Sequence, residues 1–320
     1  MGEPLQLSHG NRDRGRLAAK SQGVDLTVVV GEVSDGRKPS LGNDGKDPRL
    51  LPVGRAAGPP RLRVVIDSHT HLFLCERPEG EVVAAAREAG VERMLNVGLD
   101  AETNAAALAA AGRYDSVFAA VGCHPTEAAG FDDARAEEIA RLAAENEKVR
   151  AIGETGIDYY RETASKADQH RAFEAQIEIA RERELPIVIH ARDPEDETGA
   201  VDDVFAILDA RGEGIKVILH CFLAPWRVED AIERGWHCSF SGIVTFPSAE
   251  ELREAAAKLP DELVLVETDA PYLAPQPVRG KPNEPRHVVS TAETVAEVRG
   301  VSYAELERTV EANARALFGW

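Results

Sequence analysis

Residues 64–72 read VVIDSHTHL. The apolar opening predicts a buried strand, and Asp67, His69 and His71 then follow at every second position. Side chains of an extended segment alternate between faces, so these three groups point the same way from one strand end. Two imidazoles on one face of a buried strand are poorly explained as packing and point instead to metal ligation.

The same construction recurs along the chain. From residue 62 onward, apolar runs alternate with amphipathic helical stretches: RVVIDSH, RMLNVG, VFAAVGCH, VRAIGETG, PIVIHAR, KVILHCF, WHCSFSG and LVLVETDA, all between residues 63 and 270. Between them lie EVVAAAREAG, QHRAFEAQIEIARERE and VDDVFAILDARG, and the Gly that ends several such stretches is expected in a left-handed cap. Ser248 with Glu251, and Ser302 with Glu305, have capping-box spacing. Strands that are apolar throughout, each followed by a helix, imply a parallel sheet covered by helices, and a count of eight argues for an α/β fold of the (β/α)8 TIM-barrel type. The alternative, an open doubly wound sheet, lacks the GxGxxG that would support nucleotide binding after its first strand.

Residues 1–61 differ in kind. They hold ten Gly, six Pro, ten Lys or Arg and seven Asp or Glu, giving +3 within a 320-residue chain whose formal charge is −18. A mostly disordered extension is expected there, with VDLTVVVG (residues 24–31) as its one strand-like run, and residues 62–320 are expected to form the barrel. The acidic balance excludes a polycationic clamp on nucleic acid or on an anionic membrane, but not a small anionic group drawn to a bound metal. Cys75, Cys123, Cys221 and Cys238 form no CxxC and read as reduced thiols. No run of about eighteen apolar residues and no apolar export core is found, so a cytoplasmic enzyme without a membrane partner is expected.

In such a barrel chemistry belongs at the carboxyl ends of the strands. There the sequence places His69 and His71, His124, Glu154 and Asp158, His190, His220, and Glu267 with Asp269; five of the nine histidines fall in this set. A lone histidine such as His124 is more often a hydrogen-bonded group than a ligand, whereas His190 and His220 gain weight as ligands from their corresponding positions on adjacent strands. Four histidines with Glu154 and Asp269 exceed what one tetrahedral ion needs, so two ions sharing a carboxylate is the economical arrangement.

The motifs IDSHTHL, GCHP, IGETGIDYY, IVIHAR, ILHCF, SFSGIVTF, VETDAPYL and RGKPNEP, in this order over residues 62–320, resemble the TatD family of metal-dependent deoxyribonucleases, relatives of the amidohydrolase barrels. The resemblance implies that His69, His71 and Asp269 hold one metal, that Glu154 bridges, and that His190 and His220 hold the second; the expected cofactors are two divalent ions, Mg, Mn or Zn. The family usually has Ser-Gly-Ser after HCF, where this chain has Leu223, Ala224, Pro225 and Trp226.

Hydrolysis of DNA phosphodiesters by a metal-activated hydroxide is the expected reaction, with single strands or strand ends as substrate and exonuclease action as the mode. Asp269 and Glu154 are the expected catalytic residues, Asp269 taking the proton and Glu154 spacing the ions, while Asp67 and Asp158 support the ligands. Substrate contacts are expected from His124, Tyr160, Arg192, Arg279 and Lys281. Two-metal sites do not declare their substrate, so hydrolysis of another ester or amide, such as an aminoacyl-tRNA, is the competing activity, and a non-catalytic metal-binding scaffold the competing class.

Overall fold

Strand β1 (Val65–Thr70) is buried along its whole length. Seven more strands follow: β2 (Val91–Val97), β3 (Val117–Val121), β4 (Val149–Asp158), β5 (Ile187–Arg192), β6 (Val217–Leu219), β7 (His237–Phe240) and β8 (Val264–Val266). Each pairs in parallel with the next, in the order β1 to β8, as continuous apolar runs dictate. The helices are α1 (Glu79–Glu88), α2 (Ala101–Arg113), α3 (Asp133–Glu145), α4 (Lys166–Glu182), α5 (Gly199–Arg211), α6 (Val228–Arg234), α7 (Glu250–Lys258), α8 (Val288–Arg299) and α9 (Tyr303–Phe318). This computed structural model describes residues 65–161 and 163–320, and over them the chain is the expected (β/α)8 barrel. The extension expected at residues 1–61, and its strand at 24–31, lie outside the described residues.

The core is the interface of sheet and helices. Ile66, Met94, Leu95, Ile152, Ile187 and Phe240 from the strands, and Phe173 and Ile177 from α4, are fully buried. Each such side chain contributes about 1.5–3 kcal/mol by leaving water. Two strands pass unusually close at the site. A Cβ on Gly156 would lie 2.0 Å from the His190 carbonyl oxygen, and the residue holds φ 136°, so only glycine lets β4 approach β5 there.

The ring closes at β8 and β1 by an irregular seam. One parallel bridge joins Thr70 to Ala270. Side chains reinforce it: the Ser68 hydroxyl donates to the Val266 carbonyl at 3.0 Å, and the buried Asp67 carboxylate accepts from the Thr268 backbone N–H at 2.8 Å and the Thr268 hydroxyl at 2.6 Å. The Asp269 N–H then donates to the His69 carbonyl at 2.9 Å, which ties the two ligand-bearing strand ends together. Helix α9 packs over both β1 and β8.

Two local expectations need correction. Ser248 and Glu251 do not form a capping box: a turn through Phe246–Ala249 delays the helix, Ala249 becomes the residue before α7, and Glu251 falls one position too early to reach back. Gly212, after α5, sits at φ −88°, and Gly214 takes the left-handed turn at φ 80° instead. Behind α1, Gly90 is left-handed at φ 92°, and Ser302 with Glu305 forms the expected capping box of α9.

Candidate metal centre

Glu154 lies inside β4 between Gly153 and Gly156, buried at the centre of the barrel mouth, and its two carboxylate oxygens face different histidines. Oε2 lies 3.3 Å from His69 Nε2 and 3.7 Å from His71 Nε2. Oε1 lies 2.8 Å from His190 Nδ1, 3.5 Å from His220 Nε2 and 3.4 Å from His124 Nε2. Asp269 joins the first group, its Oδ1 3.3 Å from His71 Nε2 and 3.9 Å from His69 Nε2. His220 stacks on His69 with ring centroids 3.6 Å apart and so adjoins both groups. The structure thus brings all six expected ligands together around one carboxylate.

Acceptors on the far side of three of the four ligand rings show where a proton sits, while the buried Nδ1 of His69 has no hydrogen-bond partner among the described residues. His71 Nδ1 lies 2.7 Å from the Val97 carbonyl oxygen, which can only accept, so Nδ1 carries a proton, and Nε2 faces Asp269 and Glu154, where it can offer a lone pair to a cation that displaces its own proton. Glu267 plays the same part for His220, its Oε1 2.9 Å from Nδ1, and Asp158 holds His190 Nε2 at 3.2 Å. His124 is wired the other way. Its Nδ1 accepts from the Thr126 backbone N–H at 3.2 Å and faces the Thr126 hydroxyl at 2.7 Å. The proton is therefore on Nε2, and His124 points a donor at Glu154 rather than a ligand lone pair.

The electrostatics demand positive charge between these groups. Burial raises Glu154, but His220, His124 and His69 together outweigh it and hold the carboxyl well below its ordinary range. Burial alone would lower His71, His190 and His220; Asp269 beside His71, Asp158 and Glu154 beside His190, and Glu267 and Glu154 beside His220 reverse the sign, pushing His220 up to about 10. Burial, helped by the neighbouring His220, pulls His69 down, and burial lowers His124. Buried carboxylates that hold extra protons on surrounding imidazoles are a site that a divalent cation can neutralise by displacing those protons. Three overlapping sets, His69–His71–Glu154, His69–His220–Asp269 and His124–Glu154–His190, each bring their ligand atoms within 4.8 Å of one another. The nitrogen and carboxylate donors suit Zn, Mn, Fe or Co, with Mg favoured by the carboxylates.

Backbone strain also concentrates here. Cys221, Asp269 and Leu273, next to these groups on the β6 and β8 loops, hold positive φ values of 41°, 55° and 52°.

The expected substrate contacts fare unevenly. Arg192 ends β5, and its guanidinium lies over the exposed Tyr160 ring at 4.0 Å. Arg279 packs over Phe246 at 4.4 Å and Lys281 is exposed on the same loop; among the described residues no hydrogen bond or ion pair joins either to the six ligands. Sequence reasoning missed Tyr272, whose ring lies 6.4 Å from that of His71. Its only signal was its place in VETDAPYL, three residues beyond Asp269. Among the described residues no helix is long and apolar enough to cross a membrane, and all four cysteines are free.

Residues 66–319 match the family described as TatD related DNase. The metal-dependent hydrolase YabD of Bacillus subtilis is 37% identical over 259 residues, covering 80% of this chain and 99% of that protein. The 3'-5' ssDNA/RNA exonuclease TatD of Klebsiella pneumoniae is 36% identical over 250 residues, covering 76% of this chain and 92% of that protein. Among solved structures, the YJJV TatD homolog of Escherichia coli superposes with a TM-score of 0.74 at 26% identity, covering 81% of this chain and all of that one (100%).

Proposed function

The chain belongs to the TatD related DNase family of metal-dependent hydrolases, and on that premise we propose that it cleaves phosphodiester bonds of single-stranded nucleic acid from a strand end, acting in the cytoplasm with two divalent ions. The observation that carries this reading is the division of Glu154, with one oxygen facing His69 and His71 and the other facing His190 and His220. His69, His71 and Asp269 would hold one ion, His190 and His220 the other, and Glu154 both. When bound, the ions supply Lewis acidity, lowering the pKa of water and neutralising charge on a phosphoryl oxygen.

The protein's own groups do the rest. Asp269 is the ligand carboxylate more open to the mouth, 13% exposed against 4% for Glu154, and takes the proton released by the attacking water. Val97, Glu267 and Asp158 hold three ligand rings in the orientation that keeps a nitrogen aimed inward. His124 Nε2–H is the hydrogen-bond donor that a substrate oxygen arriving beside Glu154 meets. Arg192 supplies positive charge at the rim, while the net charge of −18 favours short contacts with a strand end over enclosure of a long duplex.

The experiment is cleavage of single-stranded and duplex oligonucleotides, and of an aminoacyl ester, by metal-stripped protein with Mg²⁺, Mn²⁺ or Zn²⁺ restored separately. Single strands should be shortened from one end only with metal, and Asp269→Asn should fold but lose at least about a hundredfold in rate, as removal of a proton acceptor implies. Metal-dependent turnover of the acyl ester alone, or wild-type turnover by Asp269→Asn, would refute the reading.

A further inference from the structure

We propose that a cavity beside His220, walled by Leu223 and Trp226, seats the unstacked terminal base of the nucleic-acid strand while the adjoining phosphodiester lies at the metal centre. The inference deepens the nuclease reading and rests on it. The cavity holds about 270 Å³ between the loops that follow β5 and β6, with His220 in its wall. Clefts for drug-sized ligands run about 300–1,000 Å³, so this space suits one small planar group. Its floor includes the buried Phe205 and Phe222; its outer edge is the exposed Leu223 and the Trp226 indole, 55% exposed.

That exposure has a pattern. The exposed large hydrophobic residues among those described are Leu74, Tyr160, Leu223, Trp226 and Tyr272, and each lies on a loop that follows a strand, at the face holding the metal centre. Apolar surface gathered on one face marks a binding surface, and aromatic rings are sequence-tolerant platforms for bases because every base has a π-face. Charge decides which part of the strand enters. The charged lining is Arg192 against Asp193, Asp196 and Glu197, one cation against three carboxylates, and the exposed Asp196 and Glu197 repel a phosphate backbone continuing past Arg192 through the cavity. An uncharged base can enter and the chain must end there. Leu223 to Trp226 also occupy the position where the family resemblance implies Ser-Gly-Ser, so this wall belongs to this chain's own sequence.

The test compares metal-loaded full-length protein on single-stranded oligonucleotides whose terminal nucleotide, at either end, carries a base or is abasic. Wild type should prefer the base at the attacked end by about tenfold in kcat/KM, mainly through KM, a factor within the reach of one stacking contact. Trp226→Ala should bring that ratio near one, and Trp226→Phe should restore most of it. A wild-type ratio of one, or a ratio kept by Trp226→Ala, overturns the proposal. Binding is read separately in Asp269→Asn: a nucleoside monophosphate should quench tryptophan emission, and Trp226→Phe should abolish the quenching despite the remaining Trp236 and Trp320. Quenching by an amino-acid ester but not by the nucleotide overturns the base assignment. If no oligonucleotide is cut, the nuclease reading fails, and the quenching alone decides what the cavity accepts.

Discussion

Replacing Asp67 by Ala tests the seam that positions half of the metal centre. The carboxylate is wholly buried, burial raises it well above the usual carboxylate range, and it accepts from the Thr268 N–H, the Thr268 hydroxyl and, at 3.3 Å, the His69 N–H. Its removal strands the Thr268 N–H in the interior and takes from the Thr268 hydroxyl its 2.6 Å acceptor, leaving it only the His69 carbonyl at 3.5 Å, at about 1–3 kcal/mol for each group. A total of about 3–5 kcal/mol lowers the melting temperature of a domain this size by about 10 °C, at about 2–4 °C per kcal/mol. Asp67→Asn keeps an oxygen for the Thr268 N–H and lets the Thr268 hydroxyl turn to accept, so it should cost only about 1 kcal/mol. The assay is thermal unfolding followed by circular dichroism in chelator, so that metal binding does not contribute to the midpoint. Because Asp269 hangs from the His69 carbonyl one residue beyond Thr268, the Ala variant should also bind metal more weakly. A melting point within about 2 °C of wild type would refute the claim that Asp67 closes the barrel.

Gly156→Ala should prevent stable folding or separate β4 from β5, a loss above about 4 kcal/mol visible as absent soluble protein or lost cooperativity, because its Cβ would meet the His190 carbonyl at 2.0 Å. His237, at the opposite end of the barrel wall, is lowered by burial to about 4 from 6.5. The unfolded chain therefore binds that proton first: the stabilisation is complete above pH 6.5, drains as pH falls, and is gone below about 4. His237→Gln should flatten the denaturant-measured stability over that window by up to about 3 kcal/mol. Limited proteolysis should trim residues 1–61 and leave an active core, checked by mass spectrometry and the oligonucleotide assay.

Much of this molecule was legible in its sequence because its strands are apolar on both faces and its ligands stand where those runs turn polar. The His69–His71 spacing placed both imidazoles on a shared face directly, whereas the need for glycine at Gly156, where β4 meets the His190 carbonyl, emerged only from the structure. Asp158 was expected beside the ligands and lies 3.2 Å from His190 Nε2, but the roles of Glu267 and Val97 were not legible, since they depend on which ring nitrogen each partner reaches, a matter of rotamer and cross-strand register rather than spacing. His124 shows the same limit: only the Thr126 N–H reveals that its inward nitrogen carries a proton. Ser248 and Glu251 kept the right spacing but lost their cap to a turn that the local pattern did not announce.

The most direct test of the central claim is the metal content of the purified, reloaded protein, measured by mass spectrometry beside Glu154→Gln. Two divalent ions per chain, falling to one or none when Glu154 loses its charge, is the expected result. A single ion in the wild type, or full occupancy in Glu154→Gln, would contradict a centre built on one shared carboxylate.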